Sequence, residues 1–380
     1  MLIYLSLSTL TVLTVALFFL KLDALPLPAA VHAVFAVGVL PLIVGVICHF
    51  LPVLTRSAQA PRAILLAPLL LQVCGVLAVL HFLGQIDLHQ LGMTAVVALI
   101  VAGVFAGWMI QRARDTLGRP HPCWRWYLAA IIFLIVATML VPAMDTWPAM
   151  RPTLRLLHIH FNTLGFIGLT ALGTVQVLLP TVVGQPDPGA AARLRNDLPL
   201  VVAGVLAVAI GAAFWLPLAL AGVLLLGFPV LKAGAAWLLR YGPTTIEAPA
   251  AALLTALSGF LLLVVGGIAH ALHWLEGRDA LLAFIVAFLL PLLSGALSQL
   301  LPVWWHPGKH SPARQRMHDA LRQGGVGRPL FFLAGGILLG MGLDAGVWLT
   351  LIGLVSLAIT LWKAVLDPHP PDGSHDHGAG

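Results

Sequence analysis

The sequence predicts an all-α polytopic membrane protein with twelve transmembrane helices, arranged as three pseudo-repeated four-helix units. Three observations carry that expectation. Of 380 residues, 60% are hydrophobic and only 9% charged, whereas soluble domains carry about 25% charged residues. Twelve apolar runs are long enough to cross a bilayer. A glycine seven residues ahead of a Leu-Pro step recurs at Gly45–Pro52, Gly173–Pro180 and Gly295–Pro302.

The runs cover approximately 2–20, 28–53, 62–84, 91–111, 126–144, 153–182, 198–216, 218–239, 249–274, 280–305, 329–343 and 346–366. The eleventh is short, and Trp215-Leu216-Pro217 alone divides the seventh from the eighth. Met1 to Leu20 has neither a basic leader nor a small-residue cleavage site, so it reads as a span and not as a removed signal. The three recurring prolines stand 128 and 122 residues apart, four helices each time, and close the second, sixth and tenth spans. One transmembrane domain over 1–366 is expected, with units of about 1–115, 120–240 and 245–366 and a flexible cytoplasmic tail at 367–380. That tail carries His369, His375 and His377, either as a weak metal site or as a solvated end.

The net charge of +6 and pI near 9.7 do not indicate nucleic acid, because the basic residues are scattered through short loops. Sixteen of the 20 Lys and Arg residues fall on one side, and only Lys21, Arg151, Arg155 and Arg278 on the other. The positive-inside rule then places both termini in the cytoplasm of a bacterial-type inner membrane, with the lipid bilayer as partner. The basic segment Pro307–Arg328 is the longest cytoplasmic loop. Cys48, Cys74 and Cys123 form no CxxC pair, and Cys48 and Cys74 read as small apolar packing residues.

Histidine is where the chemistry concentrates. His158-Ile159-His160 opens the sixth span, and residues i and i+2 lie about 200° apart around a helix. The two rings are therefore expected not to bind one metal from one face, but to be able to serve two sites on either side of the helix. His32 and His160 each stand 20 residues before their proline, about 30 Å along the helix, and so share one level near the outer face. His270 and His273 are expected at the outward end of the ninth helix on one face. His81 ends the third helix, and His89 follows in a loop. Seven of the fifteen histidines thus gather in one outer layer, with His49 at the other end. Neutral imidazole is a usual ligand of heme iron and suits copper or zinc. His32 and His160, at matched depth, are the expected pair for a metal or heme held between two helices. The plain alternative for any one interface histidine is a hydrogen bond to a backbone carbonyl or headgroup water.

Other residues fall around this layer. Arg151 and Arg155 precede His158 at i, i+4 spacing and suit either propionate carboxylates or a role as interface anchors. Asn162 and Thr163 stand where they can orient a ligand imidazole or pack helices. Gln176 and Gln299 read as interhelical hydrogen-bonding groups. No carboxylate is expected within a span, which argues against a pump or proton-coupled transporter.

The sixth helix, His158-Ile-His160 through Pro180-Thr-Val-Val-Gly184, resembles a heme-ligating helix of the heme-copper oxidase catalytic subunit. In that superfamily a His-x-His binds two hemes on opposite faces, with a similar proline-glycine exit. The second helix, with His32 and His49-Phe50-Leu51-Pro52, is similar again. Twelve spans, cytoplasmic termini and a threefold repeat also match that fold. The chain departs from the pattern elsewhere: the seventh span has no histidine, the sixth lacks the Pro-Glu-x-x-Tyr segment, and the tenth carries Ala280 and Leu282 where the family keeps His-x-His. A divergent, NnrS-like relative without the copper site is the nearer comparison. The resemblance implies an integral membrane heme-binding protein with one b-type heme or two, in electron transfer or in handling or sensing nitric oxide or another diatomic gas. Such a protein would have a redox partner and be a heme-dependent oxidoreductase, not a standard oxygen reductase. Its ligands would come from His32, His158, His160, His270 and His273. The alternative is a copper- or metal-handling membrane protein or permease that uses the outer-face histidines. A heme-free structural subunit is a third reading.

Overall fold

The computed structural model describes residues 1–116, 118–242, 247–308, 311–323 and 325–366, so the predicted tail at 367–380 lies outside the described residues. The described residues form thirteen helices and no strand. In order they are α1 (Leu2–Lys21), α2 (Leu27–Leu54), α3 (Arg62–Phe82), α4 (Leu88–Arg114), α5 (Cys123–Thr146), α6 (Pro148–Val183), α7 (Ala190–Phe214), α8 (Leu216–Tyr241), α9 (Ala248–Ala271), α10 (Gly277–Trp305), α11 (Pro312–Arg322), α12 (Gly327–Gly340) and α13 (Ala345–Leu366).

Eleven of these are long and apolar enough to cross a membrane. The chain is an integral, multi-pass membrane protein. The eleventh predicted span corresponds to α12, whose 14 residues extend about 21 Å at 1.5 Å per residue, short of the roughly 30 Å hydrocarbon core. Gly335 and Gly346 let α12 and α13 touch backbone to backbone, since a Cβ on Gly346 would lie 2.5 Å from the Gly335 carbonyl oxygen.

Helix ends follow local chemistry. Asp87 opens α4 with a capping box: its side chain accepts from the Gln90 amide at 2.8 Å, and Gln90 Oε1 accepts from the Asp87 amide at 3.0 Å. His89, expected in a loop, therefore stands in the first turn of α4. Trp215 is extended (φ −158°, ψ 98°) and separates α7 from α8, as its neighbouring Pro217 predicted. The α7 helix starts at Ala190, earlier than the apolar run, and carries Arg193, Arg195 and Asp197 in its first turns. Ser311 caps α11 by accepting from the Arg314 amide at 3.2 Å, so the predicted long loop contains a helix. That helix buries Met317, Ala320 and Leu321 beside Leu301 and Ala364.

The interior is built around α2, α6 and α10. For α6 and α10, 72% of the most apolar window is buried. Each of these helices contains a stretch of wide i→i+5 turns: Ala33–Val39, Phe161–Gly168 and Phe284–Leu289. Wide turns free backbone carbonyls, which inside a bilayer need other donors. In α2 they have them: Thr9 Oγ1 donates to the Gly38 carbonyl at 2.9 Å, and Gln72 Nε2 to the Val37 carbonyl at 3.2 Å. Neighbouring glycines bring helices against these turns. A Cβ on Gly75 of α3 would lie 2.4 Å from the Ala36 oxygen, and one on Gly259 of α9 would lie 2.0 Å from the Ala287 oxygen.

Candidate functional site

Two of the wide-turn stretches begin on a histidine. His32 immediately precedes the one in α2, and His160 the one in α6. Both sit at the end of the bundle opposite Pro52 and Pro180, which we call the histidine end.

At that end the rings of His32 and His158 stand 6.4 Å apart, centre to centre, with planes 21° from parallel. The sequence pointed to His160 as the partner of His32 because the two share a depth. The rotation of α6 instead turns His158 toward α2 and His160 away from it. Phe82, at the end of α3, packs on His32 with ring centres 4.6 Å apart, and His81 beside it is near enough to His32 to interact electrostatically. On the other side of α6, His160 stands in the same relation to His270 of α9.

Five of these rings are held in one way. Nδ1 lies 2.8 Å from a carbonyl oxygen in His32 (Pro28), His158 (Ala137), His160 (Leu156) and His270 (Leu275), and 3.1 Å from the Ile86 oxygen in His81. A carbonyl only accepts, so in each neutral ring Nδ1 carries the proton and Nε2 the lone pair. That is the tautomer a metal-ligating imidazole uses, with its far nitrogen bonded to a carbonyl that fixes the ring. The backbone hydrogen bonds offered as the plain alternative are present, and they engage Nδ1 and not Nε2.

Asn162 lies one turn beyond His158. Its amide donates to the His158 carbonyl at 2.8 Å, and the same nitrogen is 3.3 Å from His158 Nε2. Thr163 bonds only the Ile159 carbonyl one turn back, at 2.8 Å. Arg151 is exposed and donates to the Met144 carbonyl at 3.3 Å, and Arg155 is exposed with no ion pair among the described residues. His273 does not share a helix face with His270, because α9 ends at Ala271. Its backbone is left-handed (φ +61°), in a turn where its amide bonds the His270 carbonyl at 3.0 Å. His89 is exposed in α4, and His49 packs edge-on against Trp304 at the opposite end. Among the described residues, no three of His, Cys, Asp and Glu come together as a metal cluster would require.

A buried acid lies in a helix where the sequence predicts no carboxylate. Asp197 of α7 is 1% exposed and pairs with Lys232 of α8, inside a helix whose apolar run starts one residue later. Tyr127 was also missed: its hydroxyl lies 3.0 Å from Thr174 Oγ1 and joins α5 to α6. No family model matches the chain, and no curated protein matches it in sequence.

Proposed function

We propose that this membrane protein holds a b-type heme between His32 and His158 and works in electron transfer. The observation that carries the reading is the pair of near-parallel rings 6.4 Å apart, each with Nδ1 tied to a carbonyl. Two axial imidazoles on one iron, each with a metal–nitrogen bond of about 2 Å, put their ring centres about 6–6.5 Å apart. The separation of the two ring centres matches such a pair. When bound, heme would supply a one-electron iron couple, and His32 and His158 would hold it. The chain's own part is to fix both rings, to present two lone pairs and to surround them with apolar and aromatic side chains such as Phe82.

His160 and His270, on the far side of α6, support a second ligand position there, suited to a second heme and to a diatomic gas. Arg151 and Arg155, at the same end and free of carboxylates, suit propionate groups. The scaffold we infer is a threefold repeat of four helices like that of the heme-copper oxidase superfamily. The three wide-turn stretches support it, since they begin 19, 19 and 18 residues before Pro52, Pro180 and Pro302. The one-sided arginines support cytoplasmic termini. The metal-handling alternative has no three-ligand cluster among the described residues to rest on.

Purification with heme supplied during expression tests the proposal. A Soret band with sharp, split α and β bands on reduction is expected, and it should vanish in His32→Ala and in His158→Ala. Folded protein that takes up no heme would sink the reading.

A further inference from the structure

The end of the bundle opposite the histidines carries a second feature that the heme reading does not use. Three separate segments converge on an open pocket of about 400 Å³: the end of α2 with Val53 and Leu54 and the turn after it with Arg56, the loop before α5 with Arg119 and His121, and the start of α7 with Arg195. The loop is pinned to α2 by the His121 amide, which donates to the Leu54 carbonyl at 2.9 Å. Arg56 turns into the pocket region on a left-handed backbone (φ +48°).

The polar part of the pocket wall consists of Arg56, Arg119, His121 and Arg195, set among the apolar Val53, Leu54, Pro120 and Pro122. No acidic side chain lines it. Arg56, Arg119 and Arg195 make no ion pair or side-chain hydrogen bond among the described residues, whereas nearby Arg193 pairs with Asp187 and Arg112 bonds the Gln59 carbonyl. Guanidinium groups only donate. His121 adds to this in a way opposite to the heme-side histidines: its Nδ1 accepts from the Cys123 amide at 3.4 Å, so in the neutral ring the proton sits on Nε2. Burial, together with the Arg195 charge, holds its pKa below the ordinary histidine value. Three like charges around one space repel each other, and an anion with several acceptor oxygens both relieves that repulsion and accepts from more than one of them. Val53 is exposed beside the pocket, in the last turn of a helix long and apolar enough to span a membrane, so the arginines adjoin the end of that span.

We propose that Arg56, Arg119, Arg195 and His121 form a phosphate-binding site at the membrane boundary. The phosphate is that of an anionic phospholipid headgroup or of a free phosphate ester. Basic pockets between spanning helices are a recurrent way of holding such headgroups.

The full chain in phosphatidylcholine nanodiscs, doped with increasing phosphatidylglycerol, distinguishes these sources. Retained lipid is counted by native mass spectrometry, with and without millimolar inorganic phosphate. The pocket double variant Arg119→Gln/Arg195→Gln is compared with Arg62→Gln/Arg114→Gln, which removes the same charge outside the pocket. All of these side chains are exposed, so neither change opens the core. We expect about a tenfold loss of phosphatidylglycerol preference in the pocket double only, the size of one lost charge-assisted bond. Displacement by inorganic phosphate would assign recognition to the phosphate alone, and resistance to it would make the lipid's chains part of the ligand. Equal loss in both double variants, or none in the pocket double, would overturn the site.

Discussion

His32 and His158 are 126 residues apart in sequence, yet their ring centres stand 6.4 Å apart with planes 21° from parallel. Each is fixed by its own Nδ1 bond to a carbonyl, to Pro28 within α2 and to Ala137 of α5. Holding two half-buried imidazoles side by side in an apolar bundle is costly where their remaining nitrogens lack a partner. A metal held between them, as proposed, would offset that cost.

Asn162 bears on the same pair. Its amide nitrogen lies 3.3 Å from His158 Nε2, where it competes for the lone pair that iron would take. Asn162→Ala removes that competing donor, a difference of about 1 kcal/mol. The heme dissociation rate, followed by transfer to an excess of apomyoglobin, should fall about fivefold. A faster release would show that Asn162 positions the ring and does not compete for it.

The close approach of α3 to the wide turns of α2 is a packing prediction. A Cβ on Gly75 would meet the Ala36 backbone at 2.4 Å, whereas one on Gly103 would meet nothing within 4 Å. Gly75→Ala should lower stability by about 1–3 kcal/mol through overpacking, and Gly103→Ala should leave it within about 0.5 kcal/mol. Thermal unfolding in detergent compares the two. Because His32 opens the same wide turns, Gly75→Ala should also weaken heme retention.

Asp197 is buried and Lys232 is its cation. Lys232→Met leaves the carboxylate without it, at a cost of about 2–3 kcal/mol, moderated because Lys232 is partly exposed. The double change Asp197→Asn/Lys232→Met should recover most of that loss. Unfolding midpoints of the two single variants and the double variant give the coupling, and additivity would refute it.

Asp187 gives a pH dependence at the loop before α7. Partial burial raises its pKa, but the hydrogen bond and charge of Arg193 outweigh this and bring it below the ordinary aspartate value of 3.8. A carboxyl with a depressed folded pKa contributes stability above its unfolded value, and that contribution is lost as pH falls through the folded one. The midpoint should therefore decline below about pH 4, and Asp187→Asn should flatten that part of the profile while lowering stability at pH 7.

Much of this architecture was legible because depth in a spanning helix is a matter of counting. Residues 20 ahead of a closing proline share a level, so the histidine layer could be placed from His32, His160 and their prolines. Facing could not be counted. Which of His158 and His160 turns toward α2 depends on helix rotation, and wide turns just beyond His160 alter the phase of everything that follows. Asp197 was missed because it follows Arg193 and Arg195, a run that looks like a solvated loop until the α7 N-terminus is seen packed against α8. The arginine pocket was illegible for a related reason: Arg56, Arg119 and Arg195 come from three segments, and in sequence they look like ordinary positive-inside charge. The α11 helix had its signal in Ser311-Pro312, a cap followed by a first-turn proline, within a stretch too polar to be taken for a span.

Electron paramagnetic resonance of the ferric protein tests the central claim most directly, because it reports both the ligands and the angle between them. Two axial imidazoles with planes 21° from parallel predict a rhombic low-spin signal, lost in His32→Ala and in His158→Ala and kept in His160→Ala. A signal that survives both of the first two substitutions, or a purely high-spin spectrum in the unaltered protein, would contradict a heme held between His32 and His158.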